Sequence, residues 1–159
     1  MFDLAWSEVV PKSRYLVVMS VCLLGACQDP QQVASSAFDK SFFVGESYQA
    51  VYARTLQTMR LCLKPGTTYL AASGAGVTLD AQLYPDLGYA EIINGLSGVS
   101  PVTLGVTRIE NSDGKTKVSI KAPYGIQSAR DGYRSWLEYW SRGGTSCKSA
   151  EFQVAPTIQ

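Results

Sequence analysis

Hydrophobic positions along this chain change period three times. An unbroken apolar run, Tyr15 to Ala26, follows Lys12 and Arg14. From Ser47 the period becomes helical: Tyr48, Val51, Tyr52, Thr55, Leu56, Met59, Cys62 and Leu63 fall on one stripe, while Arg54, Gln57 and Arg60 point away. Ser47 suits an N-cap, and Lys64 before Pro65-Gly66 supplies a stop. Aromatic and methionine side chains at this spacing are usually core rather than a ligand box.

The middle of the chain alternates with period two. Thr67 to Ala72 predicts a short strand, and Ser73-Gly74-Ala75-Gly76 a turn. Val77, Leu79, Ala81 and Leu83 alternate with Thr78, Asp80, Gln82 and Tyr84, as a half-buried strand requires. Pro85 to Gly88 reads as a turn, with Tyr89 to Asn94 returning as the partner strand. Pro101 opens a run through Ile109, and Asn111-Ser112-Asp113-Gly114 makes a hairpin into Lys115 to Lys121. There Lys117, Ser119 and Lys121 are expected to face water.

A second helix is predicted from about Ser128 to Trp140, with Ser128 and Asp131 as a capping box and Gly143-Gly144 as its end. Tyr133, Trp136, Leu137 and Trp140 share its apolar face, Arg134, Ser135 and Glu138 lie opposite, and Tyr139 sits at the stripe's edge. The expected architecture is α+β: a four- to five-stranded antiparallel meander flanked in sequence by an N-terminal and a C-terminal helix packed on one face. Residues 45–148 would form this single domain, and residues 149–159 a frayed tail.

The first apolar run is too short to cross a bilayer. Its 12 residues span about 18 Å as a helix against a hydrocarbon core of about 30 Å. Positive charge before it and small residues after it fit a secretory signal, although Asp3 and Glu8 depart from the usual start. The run ends in Leu24-Gly25-Ala26-Cys27, which resembles the lipobox of bacterial lipoproteins. That resemblance implies removal of residues 1–26 by signal peptidase II, a diacylglycerol and palmitate on Cys27, and membrane anchoring through several acyl chains. Gln28, rather than Asp, follows the cysteine; in enterobacterial lipoproteins this implies the outer membrane over the inner, with the domain in the periplasm. Residues 27–44 then read as the lipidated cysteine and a flexible tether, its Gln-, Ser- and Ala-rich part 28–41 reaching roughly 20 Å.

Composition narrows the chemistry. The 159 residues hold 46% hydrophobic and 17% charged side chains, room for one core. Fourteen Lys and Arg against 13 Asp and Glu leave no electrostatic case for nucleic acid. No histidine is present, which removes Ser-His-Asp and Cys-His nucleophiles and His-containing zinc sites. No metal or cofactor is expected. Of the four cysteines, Cys22 leaves with the signal and Cys27 takes the lipid, so Cys62 and Cys147 are expected to pair in an oxidising compartment.

Three groups of side chains were candidates for activity. Asp80, Asp86 and Glu91 flank one turn and are of the type that supplies acid and base. Ser119 lies between Lys117 and Lys121, but a solvated strand face would not activate it. Arg108, Lys115, Lys117 and Lys121, with Tyr139, form a candidate binding surface for anionic headgroups or glycans. Catalytic residues are not expected.

The element order over roughly residues 45–148 resembles small helix-on-sheet modules of envelope lipoproteins, including the helix-grip domains of the accessory lipoprotein of the outer-membrane barrel-assembly machine. No motif is shared, so no site residue carries over. The leading expectation is a non-enzymatic envelope lipoprotein that binds or scaffolds another envelope protein. The alternative is a binder of a small amphiphile or peptidoglycan fragment in a sheet–helix groove, and a hydrolase stands third. A deep apolar pocket beneath Trp136 and Trp140 would favour the groove; a flat apolar patch would favour the scaffold.

Overall fold

Lys40–Val44, the first strand (β1), lies within the stretch the sequence pattern assigned to the tether. The computed structural model describes residues 37–64, 68–70, 75–98, 101–147 and 155–156. The signal segment, Cys22, Cys27, Gln28 and the first part of the tether lie outside the described residues, as do Pro65-Gly66 and Ser73-Gly74. β1 alternates cleanly: Phe42 and Val44 are buried while Ser41 and Phe43 are not. Two inward side chains are too few to register as a period, so the strand was invisible until its partner was placed.

Helix α1 (Tyr48–Leu63) follows β1 directly. The Ser47 hydroxyl accepts from the Ala50 N–H at 3.4 Å, and Lys64 ends the helix in the left-handed region at φ 45°. The chain continues through β2 (Thr68–Leu70), β3 (Ala75–Tyr84), β4 (Tyr89–Leu96), β5 (Val102–Ser112) and β6 (Lys115–Lys121) to helix α2 (Gln127–Ser141). Strand order is β1-β6-β5-β4-β3-β2, and every pairing is antiparallel. The α+β class holds. The sheet has six strands rather than four or five, and α1 sits between β1 and β2 instead of preceding the sheet.

Turn chemistry agrees with the strand register. Asp113 and Gly114, at φ 52° and 77°, form the two-residue turn that joins β5 to β6 and keeps Ser112 opposite Lys115. Both helices cover one face of the sheet. There Phe42, Ile92, Ile109, Val118 and Ile120 meet Val51 and Met59 of α1 and Trp136, Leu137 and Trp140 of α2. Each such aliphatic side chain taken from water contributes about 1.5–3 kcal/mol. The alternation weakens along β3: Val77 is buried, whereas Leu83 is 40% exposed near the β3–β4 turn.

Three local expectations change. The α2 N-cap is Ile126, with no side-chain cap; Ser128 falls inside the first turn, and the Gln127 amide donates to the Asp131 carboxylate instead. Arg54 does not point away, since its guanidinium donates to the Ser141 carbonyl at 2.6 Å and pairs with Glu46 at 2.7 Å. Within the expected tail, Ala155 packs against the core, and its N–H donates to the Ser135 hydroxyl at 3.0 Å. Cys62 and Cys147 form a disulfide with Cα atoms 5.1 Å apart, which ties the end of α1 to the segment after α2.

Candidate functional site

The site begins with an irregularity in the ladder. β4 and β5 pair Asn94 with Gly105 but Gly95 with Thr103, so Leu104 is the extra residue of a bulge. Gly105 has no side chain on the helix face, and a Cβ there would run into the Tyr133 ring. This absence lets Tyr133 of α2 lie against the sheet, where its hydroxyl donates to Asn94 Oδ1. Burial pushes the Tyr133 hydroxyl well above its ordinary range, against a weaker opposing influence of the Thr107 side chain. It therefore stays a neutral donor.

Beside this polar pair a groove of about 650 Å³ opens between α2 and the ends of β4 and β5. Leu96 and Leu104 form its sheet wall, Ala129, Trp136 and Trp140 its helix wall, and Leu63 of α1 its inner end. Tyr124 and Ile126, 54% and 74% exposed, stand at its edge in the loop before α2. Among the described residues that line it, none is charged. The Trp140 indole N–H is already used, donating to the Ser146 carbonyl at 3.1 Å. The two indoles pack with centroids 5.6 Å apart, and Tyr139 meets Trp136 edge-on at the same separation. Trp136 and Trp140 are thus both core and groove wall, while Tyr139 is half-buried.

The candidate basic surface does not assemble as a free cationic patch. Arg108, Lys117 and Lys121 do share the face of the sheet opposite α1 and α2. Glu110, however, lies between two of them, 3.5 Å from Arg108 and 3.2 Å from Lys117. Arg108 also stacks 4.1 Å over the Tyr89 ring. Lys115 is exposed at the hairpin, and Tyr139 belongs to the opposite face of the sheet.

Ser119 and Lys121, expected in water, are each 2% exposed. Ser119 is flanked by β1, and Lys121, beyond the end of that pairing, lies beside Phe38. The Ser41 and Ser119 hydroxyls meet at 2.8 Å, and the Lys121 ammonium lies 5.3 Å from the Phe38 ring. Burial lowers the Lys121 pKa, opposed by the charges of Asp39 and Glu91. Ser119 and Lys117 therefore have other partners and form no nucleophile pair. Asp80 and Glu91 lie on the face opposite α1 and α2 and Asp86 in the exposed turn, away from the groove. Among the described residues no group of three or more Asp, Glu, Cys or His could hold a metal ion.

Of the groove's lining, the sequence pattern points only to Trp136 and Trp140. A signal for the groove was also present in the interior-strand glycines Gly95 and Gly105, which mark a bulge or a close approach. Among the described residues no helix is long and apolar enough to cross a membrane. Comparison of the chain with family models, with curated proteins and with solved structures finds no match.

Proposed function

We propose that this protein is a lipid-anchored cell-envelope component that binds the apolar part of a small amphiphile in the groove between α2 and the sheet, without catalysis. One observation carries the reading: an apolar groove within the usual size range for small-molecule sites, about 300–1,000 Å³, lined by Leu96, Leu104, Trp136 and Trp140 and, among the described residues, by no charged side chain. An acyl chain fits that lining, and a charged headgroup would remain at the mouth beside Tyr124 and Ile126. Tyr133 and Asn94, bonded to each other, offer a fixed polar contact inside. The Leu24-Gly25-Ala26-Cys27 lipobox supports anchoring through Cys27, with the domain facing the periplasm from the outer membrane.

Native mass spectrometry of the full chain purified from membranes in mild detergent tests this. A retained or added single-chain fatty acid should appear on the wild type and be lost in Ala129→Phe, which fills the groove from its helix wall. Equal binding by both proteins would overturn the groove assignment.

A further inference from the structure

β3 is paired on one side only for most of its length. Val77 through Tyr84 bond to β4 without a register shift. On the other side β2 meets β3 only at Ala75 and Gly76. Thr78 to Tyr84 therefore present a row of backbone donors and acceptors to no neighbouring strand among the described residues. The opposite edge of the sheet is guarded. Arg142 of α2 donates to the Phe43 carbonyl at 3.5 Å and stacks 4.8 Å over Phe42, and Lys40 is tied to Glu138 at 2.5 Å. Among the described residues β3 has no such guard: Thr78 to Tyr84 contain no Lys, Arg, Pro or Gly, and their pairing with β4 has no bulge.

We infer that this edge pairs antiparallel with the same edge of a second copy, across a two-fold axis at Ala81. The order of residues singles out that occupant and that register. With the axis there, Ala81 meets Ala81, Leu79 meets Leu83, Asp80 meets Gln82 and Thr78 meets Tyr84. Like lies against like on both faces of the sheet. Leu83, exposed on the helix face, is covered by the second copy's Leu79. On the other face the Asp80 carboxylate meets the amide of Gln82. The oxygen of that amide accepts from Tyr84, so its NH₂ end is the one turned to the carboxylate. Shifting the axis to Asp80 would oppose two like charges, and shifting it to Gln82 would leave Leu79 without an apolar partner. The interface is isologous and joins two six-stranded sheets into one.

Ala81→Cys in the full chain tests the pairing, because directly opposed residues bring their Cβ atoms within about 4.5–5.5 Å. Mild oxidation of membranes carrying this variant should give a band of twice the chain's mass on a non-reducing gel. Gln57→Cys, on the exposed side of α1, should not. Adding Leu83→Lys to Ala81→Cys should reduce the band at least tenfold, with the Cys62–Cys147 bond and the thermal melt unchanged. Crosslinking of Ala81→Cys no stronger than Gln57→Cys, or to a different protein, would overturn the inference. Light scattering of the wild type in mild detergent is independent of any variant: two chains per particle are expected, and a single chain at every concentration would contradict the pairing. The groove plays no part in either readout.

Discussion

Glu138 shows how one side chain ties α2 to the sheet. It accepts from Arg142 one turn on at 3.0 Å and from Lys40 of β1 at 2.5 Å. Burial alone would raise its pKa, but the two hydrogen bonds and their positive charges outweigh that and lower it. The sign is then fixed. A carboxyl held below its unfolded value contributes stability that is present above the unfolded value and lost as pH falls through the folded one. Wild-type stability should therefore decline between about pH 5 and that lowered value. Glu138→Gln should flatten this slope and cost roughly 1 kcal/mol at neutral pH, measured by urea melts across pH.

Gly105 makes the opposite kind of contribution, through a missing side chain. Gly105→Ala would place a methyl group in the Tyr133 ring. It should cost about 1–3 kcal/mol as an overpacked site, and should free the Tyr133 hydroxyl from Asn94. Thermal melts read the first effect. A lowered, more ordinary tyrosinate titration by ultraviolet absorbance reads the second.

At the scale of elements, the legible parts were those with long periods or strong turn chemistry. Ser47 as N-cap, Lys64 as stop, the Asp113-Gly114 turn and the Trp136–Trp140 face all followed from local residues. β1 was missed because five residues with two inward side chains carry almost no periodic signal. The same omission hid the Ser41 hydroxyl that meets Ser119. Alternation shows which residues share a face, but whether each is wet depends on what packs over it, as Phe38 does at Lys121. The groove was named only as a criterion, because a cavity arises from residues of four separate elements and from what Gly105 lacks.

The Cys62–Cys147 bond, by contrast, could be read from compartment and count alone. It closes a loop of sequence separation 85, worth on the order of 4 kcal/mol in the chain-entropy model. Cys147→Ser should lower stability by about 2–5 kcal/mol, seen as a lower melting temperature that reductant no longer changes.

For the whole molecule, one face of the sheet carries two helices and the core, and the groove opens where α2 departs from that layer. Trp136 and Trp140 serve both purposes, being 4% and 2% exposed yet part of the groove wall. This makes them built-in reporters of an acyl chain in the groove. The chain has three tryptophans, and the third, Trp6, belongs to the expected signal segment. Titrating the lipidated protein with a brominated fatty acid, whose bromines quench indole only on close contact, is therefore the most direct test. Saturable quenching of most of the tryptophan emission, reversed by the unbrominated acid and absent in Ala129→Phe, is the predicted result. Emission that stays unquenched, or quenching that rises linearly and equally in both proteins, would contradict amphiphile binding in the groove.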